Sequence, residues 1–271
     1  MKHIKTVLGK LRTQGKNAFI PYITAGDPDL SRTVEFLHIL ESLGADMIEV
    51  GVPFSDPMAD GPVIQAAMER ALQSKTTLRG TLEAVRRFKE HSVLPIILMG
   101  YFNPFHAYDT EQFAKDARRA GVNAVLTVDL PPEEAGEFSI LLRKNGIAPI
   151  FLATELTDVR RMKVIGAMGR GFVYLVSVTG VTGEREDLPE GLAAKAKELK
   201  DATGLPVVLG FGISGPQMIR IYRKVVDGFV VGSAIVKRWS EATGNRGKYH
   251  QLEAFANSLA KECHGQDNDL T

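Results

Sequence analysis

One pattern repeats along most of the chain: a short apolar run is followed by a stretch with helical periodicity. The apolar runs predict eight strands, at 18–24, 46–52, 94–99, 124–128, 148–152, 172–176, 206–210 and 228–231. The periodic stretches predict helices at 31–43, 63–72 with 78–90, 110–119, 133–144, 157–167, 189–202, 215–223 and 248–261. Continuous apolar runs are typical of parallel strands covered on both faces, and regular β-then-α order favours βαβ units. Eight such units predict an α/β protein with a closed (β/α)8 TIM barrel.

The competing architecture is an open doubly wound sheet, but no Gly-x-Gly-x-x-Gly motif follows the first predicted strand. Near the N-terminus, apolar residues recur at helical spacing, at Ile4, Val7, Leu8 and Leu11. They predict an extra N-terminal helix that caps part of the fold. The 271 residues contain no linker or shift in composition, so we expect a single domain over 1–271 with a polar tail from about 264.

The balance of charges limits the partners of this chain. Lys and Arg number 33 and Asp and Glu 32, so neither nucleic acid nor an anionic membrane is expected as a partner, and the ligand should be small. No uncharged apolar run approaches the roughly 18 residues of a membrane span, and no signal-peptide pattern opens the sequence. A single cysteine, Cys263, excludes an internal disulfide. We therefore expect a cytoplasmic protein.

Two acidic residues in unlike surroundings are the first candidates for catalysis. Alternation in the strand at 46–52 places Glu49 on one face with Met47 and Gly51, where loss of hydration should raise its pKa. Asp60 follows in a loop rich in Pro and Gly, where we expect it to stay solvated and ionised. Such a pair predicts divided roles in proton transfer. The alternatives are an ion pair between Glu49 and a basic residue, and an ordinary Asp-Gly turn.

Glycine-rich loops follow the last two predicted strands, at 210–214 (GFGIS) and 232–234 (GSA). Glycines let backbone N–H groups approach an anion closely, and a helix N-terminus adds unpaired donors. Loops after strands seven and eight form the commonest phosphate site of barrels, so these loops predict a phosphate cradle. The alternative is that the glycines only form turns.

The segment 177–187 (SVTGVTGERED) follows strand six and is long and polar. Its glycines, Thr182 and Arg185 predict a lid that closes over a ligand and excludes water. The alternative is a flexible loop without such a role.

Other polar residues favour structure over chemistry. We expect Asp129 to cap a helix and Asn103 to lie in a turn. The six histidines have no spacing that suggests a metal site, so no metal is expected. Neither a Ser/His/Asp order nor a Gly-x-x-x-x-Gly-Lys motif is present.

Several long motifs occur in one order along the chain. They are 21–28 (PYITAGDP), 49–57 (EVGVPFSDP) with 59–62 (ADGP), 129–133 (DLPPE), 180–183 (GVTG) and 210–214 (GFGIS). In these motifs the chain resembles the tryptophan synthase alpha subunits, in register from about 18 to 236. Two departures are visible: Thr154 stands where many members have Pro, and Glu184 where a small residue is common.

The resemblance implies a TIM-barrel carbon–carbon lyase that cleaves indole-3-glycerol phosphate to indole and glyceraldehyde 3-phosphate by a retro-aldol reaction. Carried onto this sequence, it implies that Glu49 shuttles the protons and that Asp60 stabilises positive charge on the indole nitrogen. The implied phosphate contacts are Gly183, Gly212, Gly232 and Ser233. The implied indole pocket and lid residues are Tyr22, Leu152, Tyr174 and Thr182.

The resemblance also implies a partner, a beta subunit that carries pyridoxal phosphate and receives indole in an α2β2 heterotetramer. No cofactor is expected in this chain. The implied docking surface is the loop with Pro53, Asp56 and Pro57, together with the region at 103–104. The alternatives are a lyase that acts alone and releases free indole, a phosphate-binding barrel that only regulates a partner, and a sugar-phosphate isomerase barrel.

Overall fold

Eight parallel strands close into a barrel in which each strand pairs with the next, and the first pairs with the last. The computed structural model describes residues 2–176, 190–210 and 212–265. The strands are β1 Ala18–Thr24, β2 Ile48–Gly51, β3 Ile96–Gly100, β4 Ala124–Thr127, β5 Ala148–Thr154, β6 Val173–Val176, β7 Val207–Gly210 and β8 Gly228–Val231. Each lies within two residues of the strand that the sequence predicts. The predicted TIM barrel is confirmed.

Helices follow the strands and surround the barrel. Those in the described part of the chain are α1 Lys2–Thr13, α2 Leu30–Ser42, α3 Pro62–Gln73, α4 Leu78–Lys89, α5 Phe102–Ala107, α6 Thr110–Ala120, α7 Gly136–Lys144, α8 Val159–Met168, α9 Glu190–Thr203, α10 Pro216–Tyr222, α11 Ser233–Ala242 and α12 Arg246–Cys263. None of them is both long and apolar enough to cross a membrane.

Alternation along the strands divides the buried residues into two hydrophobic clusters. On β2, Ile48 and Val50 face outward and pack with the helices, whereas Met47, just before the strand, faces the barrel interior. Glu49 points inward, since side chains alternate along a strand. From the predicted N-terminal helix α1, Ile4, Leu8 and Leu11 join the interior cluster. This helix therefore closes the end of the barrel at which the strands begin.

Two helices differ from the expectations. Asn103 lies in α5 instead of a turn, because Pro104 occupies the first helical turn, where a missing N–H breaks no helical bond. Asp129 has the structural role expected of it, but its Oδ1 caps α5 by accepting the backbone N–H of Phe102 at 2.7 Å. After β8, α11 runs for ten residues, where no helix was predicted between 223 and 248.

Strand β5 runs two residues beyond its predicted end and finishes at Thr154, where many family members have proline. The Thr154 backbone N–H donates to Thr157 Oγ1 at 2.8 Å, a bond that proline could not make. The predicted lid, with Thr182, Gly183, Glu184 and Arg185, lies outside the described residues, as does the tail from 266 to 271. The single domain over 1–271 stays a prediction.

Candidate active site

A partly enclosed cavity of about 140 Å³ opens at the carboxyl ends of the strands. Seven residues singled out from the sequence line it together: Tyr22, Glu49, Asp60, Tyr174, Gly212, Gly232 and Ser233. The remaining lining residues are Gly61, Ile64, Met99, Ile213 and Val230. The two acids therefore face one common space, at the end of the barrel where such folds carry their active sites.

Glu49 is a fully buried acid. Its side chain is 1 % exposed, and neither carboxylate oxygen has a hydrogen-bond partner among the described residues. Burial, followed by the negative charge of Asp60, raises the pKa of Glu49 from 4.5 to about 8. At neutral pH the group is therefore largely protonated and can donate a proton. The alternative of an ion pair with a basic residue finds no support in the described part of the chain.

Asp60 is held by a tyrosine that the sequence analysis missed. The Tyr101 hydroxyl donates to Asp60 Oδ2 at 2.7 Å and accepts the backbone N–H of Ala59 at 3.0 Å. Asp60 is half-buried, not fully solvated as expected, and this burial raises its pKa while the Tyr101 bond lowers it. The Tyr101 hydrogen bond thus stabilises the charged form of Asp60 in place of part of the water that full exposure would provide.

Two tyrosine rings form walls of the cavity because glycines on the neighbouring strands leave room for them. A Cβ atom at Gly51 would lie 2.0 Å from the Tyr22 hydroxyl oxygen, and one at Gly210 would lie 2.2 Å from the Tyr174 ring. Both tyrosines are buried. Any side chain at these two glycines would displace a ring from the site.

The remaining wall is apolar and suits a flat hydrocarbon ring. It is formed by Ile64, Met99, Ile213 and Val230, which are all buried. Leu152, expected in the indole pocket, does not contribute to this lining. It is half-buried, pairs in register with Tyr174 and packs against the interior cluster.

The predicted phosphate cradle follows β7 and β8, whereas Asp60 lies in the loop after β2. Gly212 has φ +77°, a left-handed conformation that favours glycine. Gly232 precedes α11 and Ser233 is its first residue, so the first backbone N–H groups of that helix have no acceptor within it. Such a helix end attracts anions.

A family model described as tryptophan synthase alpha chain matches residues 8–264. The chain belongs to the tryptophan synthase alpha chain family. A relative of this name from Geobacter sp. (strain M21) is 48 % identical over 259 residues, which cover 96 % of this chain and 97 % of the relative. The expectations of an alpha-chain family member and a carbon–carbon lyase are therefore confirmed, and the alternative functions are not favoured.

Solved structures of tryptophan synthase alpha chains share the fold. The alpha subunit from Legionella pneumophila str. Paris is 37 % identical and superposes with a TM-score of 0.89, over 97 % of this chain and 98 % of that one. A chain from Pyrococcus furiosus is 41 % identical with a TM-score of 0.83, over 90 % of this chain and 98 % of that one. Its description concerns mutual activation of the tryptophan synthase α2β2 complex.

The raised pKa of Glu49 predicts a pH-dependent stability in this alpha-chain family member. Below pH 4.5 the carboxyl is protonated in both states, whereas between 4.5 and about 8 only the unfolded chain releases the proton. The folded state should thus lose about 1.4 kcal/mol per pH unit in this window. Urea unfolding should show Glu49→Gln gaining up to about 4 kcal/mol over the wild type from pH 5 to 8. An exposed control, Glu134→Gln, should follow the wild type; equal slopes for all three proteins would contradict the assignment.

Proposed function

We propose that Glu49 and Asp60 carry out the retro-aldol cleavage of indole-3-glycerol phosphate in this chain. The observation that supports it is their shared cavity, in which one carboxyl is fully buried and largely protonated, and the other is half-buried and bound by Tyr101. When two carboxyl groups have such different environments, one can act as a protonated acid and the other as an anion in the same reaction.

Glu49 first donates its proton to the indole ring carbon that bears the glycerol chain, which makes the ring a cationic electron sink. The resulting Glu49 carboxylate then removes the proton of the hydroxyl on the adjacent chain carbon. The carbon–carbon bond breaks, its electrons return to the ring, and the former alcohol carbon becomes the aldehyde. Indole and glyceraldehyde 3-phosphate result, and Glu49 is again protonated.

Asp60 stabilises the cation that exists between these steps. Its carboxylate accepts the ring N–H, where positive charge develops after protonation. Because this charge is absent from the bound substrate, the interaction lowers the barrier and does not merely tighten binding. Tyr101 binds Asp60 Oδ2 and thereby orients the carboxylate. The other oxygen, Oδ1, has no hydrogen-bond partner among the described residues.

The other predicted residues bind the two ends of the substrate. Gly212, Gly232 and Ser233 hold the phosphate, and Gly183 joins them from the segment beyond the described residues. Tyr22 and Tyr174 contact the indole ring, Leu152 supports Tyr174 from the neighbouring strand, and Thr182 belongs to the lid.

The chain needs no cofactor for this reaction, and we infer that the pyridoxal phosphate belongs to a beta subunit. The complex of the Pyrococcus furiosus relative supports an α2β2 assembly here as well. In the implied docking surface Asp56 and Asn103 are exposed, as is Met58, two residues after Asp56. Pro53 is buried and can only shape its loop. We propose a cytoplasmic location, with which the unpaired Cys263 is consistent.

The test follows indole release from indole-3-glycerol phosphate by the purified chain, with and without a tryptophan synthase beta subunit. We expect cleavage by the chain alone, faster cleavage in the complex, and co-elution of both subunits. Substrate binding without any cleavage, even in the complex, would reject the proposal. Full activity with neither activation nor co-elution would favour the lyase that acts alone.

Removal of the Tyr101 hydroxyl should shift the acid limb of the pH profile. Tyr101→Phe keeps the ring stacked on Phe54, whose centroid lies 5.0 Å away, but removes the bond that lowers the Asp60 pKa. On the acid limb kcat/KM should fall by up to about tenfold, since hydrogen bonds to charged groups contribute about 1.5–3 kcal/mol. The acid limb of the kcat/KM profile should therefore move to higher pH. Tyr108→Phe, which loses a bond to Asp116 outside the cavity, is the control; identical acid limbs would argue against this role.

A further inference from the structure

The loop after β1 holds a buried residue, Asp27, that side chains from two helices bind. Arg70 donates from Nε to Asp27 Oδ1 and from Nη2 to Oδ2, both at 2.8 Å. Trp239 Nε1 donates to the backbone oxygen of the same Asp27 at 2.9 Å. The Asp27 side chain is only 3 % exposed. One residue thus receives three hydrogen bonds from α3 and α11.

Both helices contribute to the lining of the cavity. Helix α3 starts directly after Asp60 and Gly61, and Ile64 in its first turn lines the cavity. Helix α11 starts at the phosphate cradle with Ser233. Arg70 and Trp239 each lie about two turns further along their helices. Asp27 therefore connects the side of the cavity with Asp60 to the side with the cradle.

The orientation of both contacts is fixed. A two-point bond between a guanidinium and a carboxylate restricts angle as well as distance. The Trp239 ring is stacked on Phe36 with 3.9 Å between ring centroids and 5° between planes, so its N–H has one direction. Apolar packing alone would permit the two helices to slide past each other more easily than these directed bonds do.

We propose that Asp27 is a positioning residue that sets the distance between Asp60 and the phosphate cradle. The inference rests on the proposed function, in which one substrate spans both. A ligand that binds only the cradle does not sense this distance, whereas indole-3-glycerol phosphate does. A misplacement of about 1 Å between two anchoring groups costs up to a hundredfold in rate.

The test uses two conservative variants outside the cavity and their combination. Arg70→Lys keeps the charge but loses the two-point bond, and Trp239→Phe keeps the stacking on Phe36 but loses the donor. Calorimetry compares inorganic phosphate, which occupies only the cradle, with indole-3-glycerol phosphate measured in a Glu49→Gln background, where turnover is blocked. Arg86→Lys on α4, whose side chain pairs with exposed Glu83 and Glu90, is the matched control.

We expect each variant to weaken binding of indole-3-glycerol phosphate by about fivefold or more and to leave inorganic phosphate binding within about twofold. The double variant should lose less than the product of the single losses, because both contacts act through Asp27. Equal losses for both ligands, unchanged binding of the substrate, or multiplicative losses would overturn the inference. Circular dichroism confirms folding; if Arg70→Lys unfolds, Trp239→Phe alone decides by the ratio of the two affinities. Failure of the proposed function appears separately, as absent cleavage by the wild type.

Discussion

Replacement of Glu49 by glutamine should reduce kcat for cleavage of indole-3-glycerol phosphate by at least about a thousandfold, because one group supplies both proton transfers and each contributes about 10²–10⁴-fold. Glutamine has nearly the same shape but can neither release nor accept the proton. The carboxyl it replaces is buried and without a described partner, so its loss breaks no bond of the fold. Stopped or steady-state assays of indole release measure the effect.

The matched control is Glu134→Gln, an exposed acid after β4, which should keep kcat within about twofold because surface substitutions rarely disturb a distant site. Circular dichroism and unfolding midpoints establish that the Glu49→Gln protein is folded. A folded variant that retains more than a tenth of the wild-type kcat would remove Glu49 from the chemistry.

Replacement of Asp60 by asparagine should lower kcat by about 10²–10³-fold with a small change in KM, since the lost charge acts on a cation that forms only after protonation. Asparagine still accepts the Tyr101 hydroxyl through its amide oxygen. A second effect follows from the pair itself. The charge of Asp60 raises the Glu49 pKa, so its removal should shift the alkaline limb of the pH profile to lower pH.

Asp56→Asn is the control for this substitution, because Asp56 is an exposed acid of the same loop. In the isolated chain it should change neither kcat nor the alkaline limb. An Asp60→Asn protein with wild-type kcat would refute the electrostatic role. A large loss of kcat with an unmoved alkaline limb would instead mean that the two carboxyls do not interact in solution.

The barrel could be read from the sequence because its strands are covered on both faces. Runs such as 18–24 and 228–231 stand out against the helices without any tertiary information, and both match the observed strands. The face that Glu49 shares with Met47 and Gly51 was predictable for a related reason, because side chains alternate along a strand. Alternation does not say which face lies inside the barrel, and only closure of the barrel decides that.

The contacts between loops could not be read in the same way. Tyr101 directly follows β3 and binds Asp60, which lies 41 residues earlier in the loop after β2, and no local pattern encodes that pairing. The burial of Asp60 has the same origin, since its own Pro- and Gly-rich loop indicates exposure. Met99 and Val230 belong to ordinary apolar runs, and only closure of the barrel shows which of their faces meets a ligand.

The N-terminal helix affects how substrate can enter the barrel and how products can leave it. Ile4, Leu8 and Leu11 pack into the interior cluster at the end of the barrel where the strands begin, and the cavity opens at the carboxyl ends of the strands. This opening is a path by which substrate can enter and products can leave. A partner subunit bound over this opening would receive the released indole directly. The N-terminal helix, which fills the other end of the barrel, would thus favour transfer in one direction.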